Sequence, residues 1–190
     1  MKYILTAEQM READEFAIGR AGIPSITLME RAGAALADEA EDMCPQGDIV
    51  VVCGGGNNGG DGFVCARVLR ERGRSAAVGC IADRMTEECR VNRNKFEKAG
   101  GEVFSVFPRR RFALAVDCLF GTGFHGEPTG KSAAAIDYVN SAAEKVLAAD
   151  VPSGVSGTDG RAAKRAVKAD RTLCIGEYKT GVFLGDGPDF

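Results

Sequence analysis

The sequence predicts an α/β fold, a Rossmann-like, doubly wound and mainly parallel sheet with helices on both faces, preceded by two N-terminal helices. Three observations carry this. Short apolar runs recur as DIVVVC, SAAVGCI, EVFSVF, FALAVDCLF, KVLAAD and TLCIG, nearly continuous rather than alternating, as strands buried on both faces must be. Helix-like segments separate several of them, and repeated strand, helix and strand is the pattern of a doubly wound sheet. The first run leads directly into GGGNNGGDG, a glycine-rich stretch that opens a helix.

Ahead of the first strand lie two helix signals. TAEQMREADEFAIGRAG starts on Thr6 with Gln9 three residues on, the pattern of a capping box. PSITLMERAGAALADEAEDM follows, with Pro24 near its start. After DIVVVC, the segment GDGFVCARVLRERG places Phe63, Val64, Val68 and Leu69 at helical spacing and ends on Gly73, a good C-cap residue. MTEECRVNRNKFEKAGG and KSAAAIDYVNSAAEK read as further helices. No internal repeat, low-complexity tract or dividing linker is seen, so residues 1–190 read as one domain.

Composition narrows the function. A formal charge of −3 gives no electrostatic case for nucleic acid, and the basic runs PRRRF and RAAKRAVKADR read as solvated faces. The seven cysteines are odd in number and none stand in C-x-x-C spacing, which suggests neither a disulfide framework nor a zinc site. Cys53, Cys80, Cys118 and Cys174 sit in runs that read as strands, where cysteine acts as a small hydrophobe, so a reducing cytoplasm is expected. The N-terminus turns polar after Leu5 and no stretch approaches a membrane span, so neither secretion nor a membrane is expected.

The chemistry gathers at strand ends. The loop Gly54–Gly62 holds six glycines, whose backbone can approach a ligand closely or take φ > 0, and a helix N-terminus that can receive an anion. Asn57, Asn58 and Asp61 add three side-chain oxygen acceptors, more than a pyrophosphate loop needs. The bland alternative is that Asp61 caps the helix and the asparagines tolerate left-handed geometry. Asp117 and Asp150 each close an apolar run and are followed by glycine-bearing turns, and in an open parallel sheet all three loops face one edge. Together they form an oxygen-rich pocket suited to a hard cation, an acid/base carboxylate, or both. The lone His125, in GTGFHGEP, is as consistent with an incidental loop residue as with a catalytic one.

These residues resemble the YjeF N-terminal domain family, the NAD(P)H-hydrate epimerases. GGGNNGGDGFVCARVL, VDCLFGTGFHGEPTG and AADVPSGVSGTDG are similar to its three site loops. TAEQMREAD and GIPSITLMERAG resemble its N-terminal helices, and VKADRTLCIGEYKTGVF its late A-D-x-T and K-x-G segment. The resemblance implies interconversion of the R and S forms of hydrated NADH and NADPH at C6 of the nicotinamide ring, beside a dehydratase that accepts one epimer. It implies that Asn57, Asn58, Gly59, Gly60 and Asp61, with Gly121, Thr122, Gly123, Phe124, His125, Gly126 and Glu127, contact the hydrated nucleotide. Asn58, Asp117 and Ser153 would hold potassium, and Asp150 would face the substrate as the acid/base group. Potassium comes from the resemblance alone. Dimers are common in the family, so a homodimer is among its implications. The chain ends on GVFLGDGPDF, where the family usually continues with a further glycine and a short strand, and the family's fused kinase-like dehydratase domain is absent from it.

Two other readings compete. A non-catalytic nucleotide, RNA or protein-binding module of this fold would have no chemical need for Asn58, Asp61, Asp117, Asp150 and Ser153 together. An NAD(P)-dependent oxidoreductase would use Asp83 on the ribose, but the sequence offers no hydride-transfer partner.

Overall fold

The structure is a computed structural model that describes residues 3–190. A two-residue strand β1 (Ile4–Leu5) leads into α1 (Ala7–Gly19), which opens on the predicted capping box: Thr6 Oγ1 accepts from Gln9 N (3.2 Å) and Gln9 Oε1 accepts from Thr6 N (2.9 Å). None of the residues of α1 is buried. Helix α2 (Ser25–Met43) is different, because Met29, Gly33, Leu36, Ala37, Ala40 and Met43 recur at three- and four-residue steps and form one buried stripe.

The apolar runs then deliver β2 (Ile49–Cys53), β3 (Ala76–Cys80), β4 (Val103–Phe104), β5 (Phe112–Cys118), β6 (Ala143–Ala149) and β7 (Arg171–Leu173). All pair in parallel, in the order β4-β3-β2-β5-β6-β7. The chain winds outward from β2 to β4, then crosses to β5 on the other side of β2. That reversal opens a crevice at the carboxyl ends of the strands. Between the strands run α3 (Asn57–Glu71), α4 (Glu87–Lys98) and α5 (Gly130–Ala142).

Alternation along β2 divides the core. Ile49, Val51 and Cys53 pack with Leu36, Phe63, Leu69 and Phe96 from α2, α3 and α4, whereas Val50 and Val52 pack with Ile136 and Val139 of α5. Helices therefore cover both faces, unequally. From β6 to β7 the connection is irregular and carries an antiparallel bridge between Val155 and Ala162. No helix among the described residues is long and apolar enough to cross a membrane.

Several boundaries differ from the sequence expectation. The segment KSAAAIDYVNSAAEK is helical only to Ala142, and Ala143, Glu144 and Lys145 already belong to β6, where Ala143 pairs with Phe112 and Lys145 with Leu114. EVFSVF yields only the two residues of β4, at the sheet edge. TLCIG yields β7 through Leu173, so Cys174 lies just past a strand rather than in one. A separate two-stranded sheet, absent from the sequence reading, joins β1 to β8 (Tyr178–Lys179) in parallel.

Candidate active site

Helix α3 starts at Asn57, so the loop's asparagines and three of its glycines form the first turns of the helix. Asp61 lies beyond the capping positions, and Gly56 is the N-cap. None of the loop's glycines or asparagines takes positive φ. Five of the six glycines, all but Gly56, are there for close approach. A Cβ on Gly54 would lie 2.1 Å from the Leu119 carbonyl oxygen, and one on Gly59 would lie 2.1 Å from that of Gly54. The expectation of φ > 0 is thus corrected: the loop is flattened against the turn after β5, which pulls α3 onto the sheet edge.

The three aspartate-bearing loops meet there as expected, since β2, β5 and β6 are adjacent and Val52, Asp117 and Ala148 share one register. Asp117 is a ladder residue inside β5 and is fully buried. Its Oδ1 accepts from Leu119 N (3.1 Å) and from the Ser153 hydroxyl (2.7 Å), and its Oδ2 accepts from Ser153 N (2.8 Å). Burial pushes this carboxyl up to about 6, against the lowering effect of those donors. Ser153 Oγ in turn accepts from Phe120 N (3.0 Å), tying β5, its following turn and the loop after β6 into one knot.

Asn58 is buried beside it. Its Nδ2 donates to the Ala149 carbonyl (3.4 Å), while its Oδ1 is buried and finds no hydrogen-bond partner among the described residues. Such an acceptor is costly to leave unmet. Among the described residues, no group of three or more His, Cys, Asp or Glu side chains is arranged to hold a metal ion.

Asp150 is the one non-glycine residue described with positive φ, at 72°. Its Oδ2 faces Thr122 N (3.4 Å), and its Oδ1 pairs with the ammonium of Lys179. A Cβ on Gly121 would lie 3.1 Å from Asp150 Oδ2 and 3.6 Å from Asn58 Cβ, so these two side chains border the same turn. Asp61, also buried, is pushed well above the ordinary aspartate range by burial first and then by the charges of Asp150 and Asp14.

The other expected contacts are looser. Thr122 and Phe124 are half-buried, and Phe124 stacks on Phe120 with ring centroids 4.3 Å apart. Asn57, Gly123, His125, Gly126 and Glu127 are exposed, and the Glu127 carboxylate accepts from Lys164 N (3.0 Å), pinning the loop to the irregular segment. Asp83 is held by both oxygens on Lys131 (2.7 and 2.9 Å). Two residues escaped the sequence reading as site members. Lys179 lay inside the quoted K-x-G segment without a role, and Asp14, raised by desolvation and by Asp150 but lowered by Lys179, stood unremarked in α1. A lone lysine between Tyr178 and Thr180 carries no local signal of burial.

The chain matches the family model described as YjeF-related protein N-terminus over residues 25–181. It is 38% identical to the NAD(P)H-hydrate epimerase of Limosilactobacillus fermentum, covering 96% of this chain and 90% of that protein. It is 31% identical to the NAD(P)H-hydrate epimerase of Rhodopirellula baltica, covering 93% of this chain and 76% of that one. Identity is 34% to the Bifunctional NAD(P)H-hydrate repair enzyme Nnr of Moorella thermoacetica, where the match takes in 97% of this chain but 38% of the larger protein. Among solved structures, the yeast protein ynu0 superposes with a TM-score of 0.84 at 21% identity, over 97% of this chain and 85% of that one.

Proposed function

The chain belongs to the YjeF-related protein N-terminus family, and from that membership we propose that it epimerises the R and S forms of hydrated NADH and NADPH at C6 of the nicotinamide ring. Curated relatives named NAD(P)H-hydrate epimerase match nearly the whole chain, which makes the activity an isomerase of cofactor repair. The observation that carries the reading at the level of chemistry is Asp150, a carboxylate fixed in left-handed backbone at the mouth of the crevice.

In the hydrate, C6 is tetrahedral and bears a hydroxyl next to ring nitrogen N1. Taking the hydroxyl proton while the C6–N1 bond opens, with N1 keeping the bonding pair, gives an aldehyde. Giving a proton to the hydroxyl and releasing water gives a ring iminium. Both species are trigonal at C6, and closure from the other face inverts the centre. Asp150 in its ionised form serves the first route, and in its protonated form the second. Asp61, pushed up by burial and by the charge of Asp150, is the neighbouring carboxyl suited to exchange a proton with it. The unpaired amide groups at the start of α3 suit the substrate's phosphates.

A potassium ion fits this site. The orphaned Asn58 Oδ1, the Asp117 carboxylate and the Ser153 hydroxyl form an oxygen set with a single formal charge, better matched to a monovalent than to a divalent cation. The ion would supply positive charge beside Asp117, and this chain's residues would do the rest. A cytoplasmic location, a homodimer and a dehydratase specific for one epimer as functional partner complete the reading.

The test follows the two epimers of NADHX by chromatography at neutral pH, with and without the protein, in potassium and in choline buffer. Faster equilibration in potassium supports the proposal. A time course equal to the protein-free control contradicts it.

A further inference from the structure

Lys179 is 1% exposed, which is rare for lysine because a buried ammonium must find partners for its charge and its donors. It finds two, the Asp150 carboxylate and the Ile175 carbonyl. Its backbone is held by β8, where it pairs with Leu5 of β1 in the small second sheet. That sheet lies outside the Rossmann core, yet it delivers this one side chain to the site.

The acid it reaches is the one that needs holding. A non-glycine residue in left-handed backbone costs about 1–3 kcal/mol and persists only where its surroundings over-determine it. Around Asp150 the backbone is fixed by its N–H to the Leu173 carbonyl (2.7 Å) and by Val151 N to the Ala149 carbonyl (2.9 Å). The carboxylate itself accepts at Oδ2 from Thr122 N (3.4 Å), and its Oδ1, which accepts no hydrogen bond among the described residues, is ion-paired with Lys179. Asp14 on α1 and Asp61 on α3 bring two more carboxyl groups to this neighbourhood, and the cation whose charge acts on both is Lys179.

We propose that Lys179 is a positioning residue for epimerisation, whose buried ammonium clamps Asp150 Oδ1 so that the carboxylate presents Oδ2 to the substrate. The proposal rests on the epimerase reading. Lys179 does not touch the nucleotide, so its loss costs turnover while leaving affinity in place.

The experiment measures kcat and KM for NADHX epimerisation, with thermal melting, for the wild type, Lys179→Met and Lys179→Ala, the last with and without ethylammonium. For the folded Met variant we expect kcat to fall by about a hundredfold, with KM within about threefold of wild type. Ethylammonium restores at least about tenfold of the alanine variant's lost kcat, while neutral propanol does not and the wild type is unaffected by either. Turnover of Lys179→Met near the wild-type value, a loss that appears in KM alone, or equal rescue by propanol overturns the assignment. So does an alanine variant that folds with ethylammonium without regaining turnover. A wild type that fails to speed epimerisation at all overturns the epimerase reading and the positioning role with it; the other failures overturn the positioning role alone.

Discussion

Asp117 shows how far a single buried residue departs from its ordinary chemistry. Its carboxyl is raised from 3.8 to about 6, so between those values the native chain keeps a proton that the unfolded chain releases. Stability from this group is therefore full below the lower value and declines as pH rises through about 6. In potassium-free buffer the stability of the wild type relative to Asp117→Asn should fall between pH 4 and pH 7, as read by denaturant midpoints. A difference that stays flat over that window contradicts the assigned burial effect. The cysteines lie at the other extreme: burial pushes Cys89 up to about 12 and raises Cys53, Cys65 and Cys118 as well. A thiolate reagent at pH 8 should modify the half-buried Cys174 first and the six buried thiols only on unfolding. Rapid labelling of all seven in the native protein would sink that account. At this scale Asp117 and Asp150 were legible in the sequence because carboxylates at the ends of apolar runs demand an explanation, and Asn58 because a pyrophosphate loop has no need of its side chain. Lys179 was not, because what makes it unusual is tertiary burial.

At the scale of elements, the glycine loop is where sequence and structure part. Glycine content suggested free backbone torsion or ligand approach, but the crowding is internal: a Cβ on Gly54 or Gly59 would collide with backbone carbonyl oxygens, and backbone cannot move aside as a flexible side chain can. Gly54→Ala and Gly59→Ala should each destabilise by at least about 2 kcal/mol. Gly56→Ala, with open space around it and φ of −85°, should cost less than about 1 kcal/mol. Chemical denaturation of the three variants checks the contrast, and equal losses would remove the close-approach explanation. The longer strands and the capped helices were legible from apolar runs and caps. The ends of α5 and β6 were not, because SAAEK favours helix by propensity and pairing with β5 overrides it. Strands β1 and β8, two residues each, are too short to leave any periodic signal.

Across the whole molecule, the strand order places Asn58, Asp117, Asp150 and Ser153 at the crossover beside β2, although the chain separates them widely. The small β1–β8 sheet adds Lys179 from outside the core. On the function proposed above, this convergence is an epimerase site built around Asp150. The most direct measurement compares wild type and Asp150→Asn in the NADHX epimer time course at neutral pH, with circular dichroism and melting on the same samples. The expected result is loss of at least about 10²-fold in turnover with the fold retained. A fully folded Asp150→Asn enzyme that equilibrates the epimers as fast as wild type would contradict it.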